Sequence, residues 1–240
     1  MADYTLYYWP VPFRGQFIRA ILAHAGKTWE ESDVEALMAL PPSKQPVPFM
    51  GPPVLIDQST DFALSEMPAI ALYLGETLNL LPPTPKGRAM AIKVVNDAND
   101  VIDEMTRDGG RDMWTRDNWK AFQPRLKHWM EIFEVAGRRH KLTAESGFML
   151  GGEAASVADI VTATLWGVLD DRFPAIGETL RHQAPAVAGL TRRLMATPPL
   201  KDLMAWSNTR FGNAYCGGQI EASLRKVVDM KVVDGATVKA

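Results

Sequence analysis

Short apolar runs separated by turn residues characterise the first 80 residues of the chain. The aromatic and β-branched run Tyr4–Trp9 predicts a buried strand, which the prolines at 10 and 12 must end. Apolar side chains then recur at helical spacing over residues 14–25. A second strand is predicted over Thr28–Val34, and its charges indicate the edge of a sheet.

Six prolines between residues 41 and 53 predict a stiff loop rather than a helix. Two apolar runs after it, Val54–Ile56 and Phe62–Leu64, predict an antiparallel hairpin. Pro68 then marks the start of a helix, where its missing N–H costs nothing. The order strand, helix, strand, strand, strand, helix predicts a small α/β domain over residues 1–80.

Beyond a proline-rich linker at 81–87, the apolar positions recur at spacings of three and four. Five helices are predicted there, over residues 88–107, 119–139, 157–170, 175–195 and 199–207. Ser156–Asp159 has the pattern of a reciprocal helix cap, and the helix that it opens is apolar on all sides. That helix should lie at the centre of an all-helical domain over residues 88–240.

Composition and charge narrow the class of protein. The chain has 26 Lys and Arg against 28 Asp and Glu, and this net charge of −2 argues against a general nucleic-acid binder. No apolar run approaches the ~18–20 residues needed to span a bilayer, and the first residues lack the pattern of a secretory signal. One cysteine, Cys216, excludes an internal disulfide framework. We therefore expect a cytoplasmic protein without nucleic-acid or membrane partners.

Several motifs that would carry chemistry are absent or incomplete. The run Gly26–Thr28 resembles the end of a phosphate-binding loop, but the upstream glycine position holds Ile21. The four histidines show no paired metal-ligand spacing, so no metal site is expected: His24, His128, His140 and His182. Cys216 is predicted to lie far from any helix start and to take no part in chemistry.

Three features of the first domain point to one binding site. Pro53 directly precedes a strand, where a cis peptide bond would form a sharp turn and expose backbone groups to a peptide-like ligand. Glu66 and Met67 stand at a helix N-terminus, where free N–H groups favour a carboxylate. Polar side chains flank the end of the first strand: Tyr7, Tyr8 and Arg14. Together these features describe a site for a short zwitterionic peptide.

Four segments, taken in order, resemble the motifs of the cytosolic glutathione transferases. They are Tyr8-Trp9 with Arg19, the proline turn Pro52–Leu55, the run Leu64–Ile70, and the helix cap Ser156–Asp159. The resemblance extends to about residue 210. It implies a thioredoxin-like α/β N-terminal domain, an all-α helical-bundle C-terminal domain, a homodimer, and glutathione as co-substrate without a metal.

The resemblance also implies roles for particular residues. Tyr8 is the leading activator of the glutathione thiol, with Arg14 beside it. Glu66 would hold the γ-glutamyl ammonium and the backbone of Met67 the adjacent carboxylate. Met67 replaces the serine of the family motif, so a side-chain hydroxyl is missing there. The serine or cysteine activator of other classes would fall near Pro12, and backbone amides after Trp9 are the alternative to Tyr8.

Further contacts to glutathione and to a second subunit are implied in the same way. The carbonyl of Pro52, ahead of the turn at Pro53, would accept a hydrogen bond from the cysteinyl amide, and Lys44 would bind the glycyl carboxylate. Asp97 would reach the partner subunit's glutathione, and Asp100 on the same helix face is the alternative for this role. Phe49 would dock into the neighbouring subunit as a dimer contact. A wall for an apolar electrophile is predicted from Trp9, Phe13, Met105, Trp114, Trp206, Phe211 and Tyr215, although core packing explains them equally well.

The predicted function is therefore a glutathione transferase that stabilises the thiolate of glutathione and transfers it to an apolar electrophile. Two alternatives remain: a non-catalytic binding or assembly module, and a glutathione-dependent lyase or peroxidase on the same fold. The tail after Gly217 is predicted only as a lid or a subunit contact.

Overall fold

A computed structural model describes residues 2–228 and the backbone of residues 232–233 and 236–237. The strands are β1 (Tyr4–Tyr7), β2 (Trp29–Ser32), β3 (Val54–Asp57), β4 (Phe62–Ser65), β5 (Val232–Val233) and β6 (Ala236–Thr237). The first four form one sheet in the order β2-β1-β3-β4, and the last two pair with each other. Strand β2 runs parallel to β1, whereas β3 is antiparallel to both of its neighbours. This mixed sheet with its helices confirms the thioredoxin-like α/β fold of the N-terminal part.

Three helices accompany this sheet: α1 (Arg14–His24), α2 (Val34–Met38) and α3 (Met67–Thr77). Helix α2 was not expected, because Val34 was predicted to end a strand. The Asp33 carboxylate accepts hydrogen bonds from the N–H groups of Glu35 and Ala36 at 2.9 and 3.1 Å, and this cap starts a helix. Strand β1 also ends at Tyr7 rather than at Trp9.

The rest of the chain is helical up to Val228. Its helices are α4 (Pro85–Met105), α5 (Arg107–Gly110), α6 (Arg116–Arg139), α7 (Val157–Arg172), α8 (Pro174–Gln183), α9 (Pro185–Met195), α10 (Pro198–Phe211) and α11 (Gly218–Val228). The single helix predicted over 175–195 is wrong, because the chain breaks at Ala184 before Pro185, which cannot continue a hydrogen-bonded helix. Helix α4 begins inside the predicted linker, where the Thr84 hydroxyl caps it.

Helix α7 is the centre of the helical part, as its apolar sequence predicts. It packs against α1, α4, α8 and α9, and Trp166 on it is fully buried. The Ser156 N–H donates to one Asp159 carboxylate oxygen at 2.8 Å, and the Met149 N–H donates to the other at 2.6 Å. The predicted helix cap is therefore confirmed. Because α1 packs directly on α7, the helical part fixes the helix that follows the first strand.

Within the described residues, no helix is both long enough and apolar enough to cross a membrane. The tail prediction falls partly on α11 and otherwise on residues outside those described, apart from the short backbone pair β5–β6.

Candidate functional site

One end of the four-stranded sheet brings three strand ends together. Tyr7 of β1 lies opposite Val54 of β3, and Val54 lies opposite Ser65 of β4. Neighbouring strands are about 4.8 Å apart, so the residues just beyond these pairs line up across the sheet end. Those residues are Tyr8, Pro53 and Glu66. Sequence analysis named all three, and the strand register makes them neighbours.

The turn before β3 has the predicted form. The peptide bond between Pro52 and Pro53 is cis, and Pro53 is buried while Pro52 is half-buried. Neither proline has an N–H, so this turn can offer carbonyl oxygens only to a ligand at the sheet end.

Glu66 holds an unusual backbone conformation, with φ 72° and ψ 120°, at the start of α3. Such conformations cost about 1–3 kcal/mol and persist where the surroundings impose them. Here Met67, whose side chain is fully buried, anchors the next position. The Glu66 carboxylate is exposed and has no hydrogen bond or ion pair among the described residues. An unpaired carboxylate thus stands beside the N-terminal amides of α3, which have no acceptor within the helix.

Tyr8 is buried beneath the same sheet end. Its hydroxyl oxygen accepts a hydrogen bond from the Arg14 N–H at 3.0 Å, at the first residue of α1. Burial raises the pKa of Tyr8 to about 12, against the lowering effect of the nearby Arg14 charge. A Cβ atom on Gly15 would lie 2.4 Å from the Tyr8 ring, so the close approach of helix and ring requires glycine.

Arg14 extends from this point to the helical part. Its guanidinium donates to Asn99 Oδ1 at 3.2 Å and to Asp103 Oδ1 at 2.7 Å, both on α4. The Arg14 side chain is 24% exposed. Arg14 therefore joins Tyr8 to α4, through its backbone N–H on one side and its guanidinium on the other.

A buried arginine holds the segment that joins β1 to α1. The Arg19 guanidinium forms a two-point ion pair with the Glu31 carboxylate at 2.8 and 2.9 Å. It also donates to the carbonyls of Val11 at 3.0 Å and Trp9 at 3.3 Å, and it lies 5.7 Å from the Tyr8 ring centre. From the sequence, Arg19 was predicted only as part of a motif and Glu31 was not predicted, although acidic residues in a predicted edge strand were the available sign.

The loop before β3 carries the other predicted contacts of the N-terminal part. Lys44 ends a 3-10 turn and is exposed, with no ion pair among the residues described. Phe49 is half-buried, and the following Met50 is 99% exposed. Met50 was not predicted to take part, although it directly follows the predicted dimer contact Phe49 in the sequence. Among the described residues, no hydrogen bond or ion pair joins Lys44 or Phe49 to Tyr8 or Glu66.

The predicted aspartates on α4 lie on one acidic face. Asp97 is half-buried and forms an ion pair with Lys93, one turn before it. Asp100 is exposed, and its pKa is raised by partial burial and by the neighbouring carboxylates, Asp97 first among them. Asp97 is thus held by an ion pair within its own subunit, whereas Asp100 forms no ion pair among the described residues.

The residues predicted to form an apolar wall meet in separate pairs. The ring pairs are Tyr8–Trp9, Phe13–Tyr215 and Trp206–Phe211, and the Trp114 indole N–H donates to the Met105 carbonyl at 3.0 Å. Asp103, the ion-pair partner of Arg14, lines a cleft of about 220 Å³. Its lining is Asp103, Glu104, Arg107, Asp108, Asp112, Trp114 and Phe122. Trp114 is the one predicted wall residue in this lining, and most of the other lining residues are charged.

Cys216 lies two residues before the start of α11, which corrects the expectation that it would be far from any helix start. The Glu221 carboxylate accepts hydrogen bonds from the backbone N–H groups of Tyr215, Cys216 and Gly217 at 2.9, 3.0 and 2.6 Å. Burial, with the Glu221 charge, raises the pKa of the Cys216 thiol to about 12. The thiol is therefore held in its unreactive form.

Across the described part of the chain, no group of three or more His, Cys, Asp or Glu side chains is arranged to hold a metal ion.

Comparisons with known proteins agree with this architecture. The family model for the glutathione S-transferase C-terminal domain matches residues 90–227, more than half of the 240-residue chain. The solved structure of NaGST-2 is similar with a TM-score of 0.67 and 22% identity, covering 85% of this chain and 97% of that one. A structure of NaGST1 is similar with a TM-score of 0.68 and 19% identity, with the same coverage of 85% and 97%. At these identities the two structures show the fold alone, and a search of curated proteins gave no match. From the family match, the chain belongs to the glutathione S-transferase family.

Proposed function

We propose that this protein is a glutathione transferase, which binds glutathione at the sheet end, stabilises its thiolate and transfers it to an electrophile. The observation that carries this proposal is the row formed by Tyr8, Pro53 and Glu66. It combines a hydroxyl, a turn that offers backbone carbonyls, and an unpaired carboxylate beside a helix N-terminus. These three groups lie in a row, and they match the thiol, the backbone amide and the charged end of a zwitterionic peptide.

Glu66 and α3 bind the γ-glutamyl end in this proposal. The exposed Glu66 carboxylate pairs with the ammonium, and the Met67 amide with the positive end of the helix dipole binds the carboxylate. The Pro52 carbonyl accepts the cysteinyl N–H, and Lys44 binds the glycyl carboxylate. Asp97, or Asp100 on the same face, approaches the glutathione of the partner in a homodimer, and Phe49 with Met50 forms part of the contact between subunits.

Tyr8 supplies the activating hydrogen bond. A thiol with a pKa near 8.5 must fall by about two units to ionise at neutral pH, which is about 2.7 kcal/mol. One charge-assisted hydrogen bond contributes about 1.5–3 kcal/mol, and the N-terminus of α1 about 0.3–1 more. Because its pKa is about 12, Tyr8 keeps its proton and acts as a donor, not as a base. The Arg14 guanidinium further favours the negative sulfur.

The chemical step then follows from the thiolate. The sulfur lone pair forms a bond to the electrophilic carbon, the thiol proton leaves to solvent, and a leaving group departs or the adduct takes up a proton. Addition, aromatic substitution, thiolytic ether cleavage and peroxide reduction share this activated thiolate. The second substrate approaches the thiolate beside the Arg14 guanidinium, where the N-terminal part meets α4. A cytoplasmic location, where glutathione is abundant and reduced, belongs to the same proposal.

A pH titration of glutathione bound to the protein, followed by thiolate absorbance, tests the proposal. Wild type should bind glutathione and ionise its thiol well below the pH at which free thiols ionise. Glu66→Gln should weaken binding about ten-fold or more, since an ion pair at the ammonium is lost. The matched control is Glu30→Gln, because Glu30 is also exposed but lies on β2 at the other edge of the sheet.

Each outcome of the titration has a definite meaning. If glutathione does not bind wild type, the proposed function is wrong. If it binds but stays protonated, the protein is a non-catalytic binding module. If Tyr8→Phe ionises glutathione as well as wild type, the amides after Trp9 are the activators instead of Tyr8.

A further inference from the structure

The α10–α11 loop, residues 212–217, is organised by one carboxylate. A single Glu221 oxygen accepts hydrogen bonds from three consecutive backbone N–H groups, at 2.9, 3.0 and 2.6 Å. They belong to Tyr215, Cys216 and Gly217. Hydrogen bonds to a charged acceptor are roughly twice as strong as neutral ones, so the carboxylate fixes the shape of the loop.

Tyr215 packs the α10–α11 loop against the segment that joins β1 to α1. Its fully buried ring meets the Phe13 ring with 5.3 Å between the centres and 86° between the planes. It also meets the Phe173 ring, between α7 and α8, at 5.3 Å and 82°. Both are edge-to-face contacts, which are favourable for aromatic rings. A Cβ atom on Gly217 would lie 3.8 Å from Val11 Cγ1, so the loop passes close to the same segment at a second point.

The Tyr215 hydroxyl takes no part in these contacts. It is buried and has no hydrogen-bond partner among the described residues. Burial raises the pKa of Tyr215 well above its ordinary value, so the hydroxyl stays protonated at neutral pH. The ring therefore makes the contact with Phe13, and a phenylalanine in place of Tyr215 would keep it.

Phe13 directly precedes the residue that orients Tyr8. Its carbonyl accepts a hydrogen bond from the Gln16 N–H at 2.9 Å, in the first turn of α1. The Arg14 guanidinium lies 5.1 Å from the Phe13 ring centre. The Arg14 N–H donates to the Tyr8 hydroxyl at 3.0 Å. A shift of Phe13 would therefore move both the N–H and the guanidinium of Arg14 relative to Tyr8.

The Arg19 guanidinium holds the earlier part of the same segment. It donates to the carbonyls of Trp9 at 3.3 Å and Val11 at 3.0 Å. Phe13 lies beyond these hydrogen bonds, and its side chain is held by packing. Because buried side chains respond to small changes in the volume around them, loss of the Tyr215 ring would let Phe13 move.

We propose that Tyr215 and Glu221 are positioning residues for stabilisation of the glutathione thiolate. Glu221 fixes the α10–α11 loop, the Tyr215 ring holds Phe13, and Phe13 sets Arg14 against Tyr8. Neither Tyr215 nor Glu221 contacts glutathione in this arrangement. The inference rests on the proposed function, since it concerns the thiol of bound glutathione.

The test measures the pKa of the thiol of bound glutathione, by thiolate absorbance, in wild type and in Tyr215→Leu. The variant should raise this pKa by about one unit, which is a ten-fold loss in the thiolate-to-thiol ratio. The dissociation constant of S-methylglutathione, which has no thiol proton, should stay within about two-fold, because Glu66 and α3 are unchanged. Tyr215→Phe should behave as wild type. Glu221→Gln keeps the side-chain volume but removes the charge of the acceptor, so it should raise the thiol pKa by a smaller amount.

The matched control is Phe133→Leu. Phe133 is also buried in an edge-to-face pair, with Trp166 at 5.6 Å and 88°, but it lies on α6. This change removes a similar ring from the core without touching Phe13. It should leave the thiol pKa unchanged.

Wild type separates failure of this inference from failure of the proposed function. If wild type does not ionise bound glutathione, the proposed function is wrong and this inference falls with it. If wild type ionises glutathione and Tyr215→Leu does so at the same pH, this inference is wrong and the proposed function stands.

The control variants give two further outcomes that would overturn the inference. A rise in Phe133→Leu equal to that in Tyr215→Leu would indicate general loosening of the core. An equal rise in Tyr215→Phe would assign the effect to the hydroxyl. Near-UV circular dichroism checks folding. If Tyr215→Leu does not fold, Glu221→Gln decides, and an unshifted thiol pKa in that variant would overturn the inference.

Discussion

The hydroxyl oxygen of Tyr8 accepts a hydrogen bond from the backbone N–H of Arg14 at 3.0 Å. This contact ties the residue just beyond β1 to the first turn of α1. It uses an acceptor site of the phenol and leaves its O–H free to donate. Gly15 below the ring and Arg19 beside it fix the ring plane, and this fixes the position of the hydroxyl oxygen. A tyrosine held in this way is prepared to donate to an anion before that anion arrives.

Burial of Tyr8 should make stability fall at alkaline pH. The unfolded pKa is near 10 and the folded pKa is about 12, so the contribution of Tyr8 is complete below about pH 10 and is lost as pH rises to about 12. Wild type should therefore lose about 1.4 kcal/mol more than Tyr8→Phe between about pH 9 and about pH 11. Urea unfolding at each pH measures the difference, and parallel pH profiles for the two proteins would show that Tyr8 is not buried as described.

The backbone of Glu66 predicts a variant that separates stability from binding. Glycine tolerates positive φ better than glutamate, so Glu66→Gly should leave the free energy of unfolding unchanged or raise it by up to about 1 kcal/mol. The same change removes the carboxylate and should weaken glutathione binding about ten-fold or more. Chemical denaturation and isothermal titration calorimetry measure the two effects.

The comparison with Glu66→Ala completes this experiment. Alanine also removes the carboxylate but keeps a Cβ atom, so it should match glycine in binding and fall below it in stability. A Glu66→Gly protein that unfolds more easily than Glu66→Ala would contradict the assignment of backbone strain to this position.

The pair between Arg19 and Glu31 should be among the most sensitive to mutation. Removing one partner leaves the other charge buried and unpaired, so Arg19→Met should cost about 3–5 kcal/mol of unfolding free energy. The control is Arg125→Gln, which breaks an exposed two-point pair with Glu104 and should cost less than about 1 kcal/mol. Thermal unfolding of both variants measures the two losses of unfolding free energy. Equal losses would mean that burying the Arg19–Glu31 ion pair adds little to the cost of breaking it.

Most helices and strands of this fold were predicted from patterns of residues close together in sequence. The proline turn, the hairpin after it and the cap of α7 depend on residues close together in sequence, so their patterns were readable. Helix α2 was missed because the Asp33 side chain competes with a strand-like sequence, and only the folded chain shows which prevails. The break between α8 and α9 was overlooked although Pro185 marks it.

Only part of the candidate site could be predicted from the sequence, for a different reason. Tyr8 and Glu66 directly follow strands and Pro53 directly precedes one, and their resemblance to known motifs predicted that the three belong to one site. The ion pair of Arg19 with Glu31 and that of Arg14 with Asp103 on α4 join residues that are well separated in sequence. No periodicity in the sequence predicts such pairs. The same holds for the Glu221 carboxylate, which organises the loop around Cys216.

The state of Cys216 can be checked with an alkylating reagent. With a pKa of about 12, only roughly one molecule in a hundred thousand carries a thiolate at neutral pH, against a few per cent for a free cysteine. Iodoacetamide should therefore react with native protein about a thousand-fold more slowly than with protein in denaturant. Cys216→Ser should leave glutathione ionisation unchanged. Rapid labelling of the native protein would show that the loop held by Glu221 opens readily.

The exposed methionine beside Phe49 points to the surface where a second subunit would bind. Met50 is 99% exposed, which is unusual for a large apolar side chain unless a partner covers it. Phe49→Ser with Met50→Ser should raise the dimer dissociation constant about thirty-fold, which corresponds to the loss of one interface hot spot. Val135→Ser is the matched control, since Val135 is an exposed apolar residue on α6. Analytical ultracentrifugation over a range of concentrations measures both. An unchanged dimer in the double variant, or equal weakening by Val135→Ser, would place the subunit contact elsewhere.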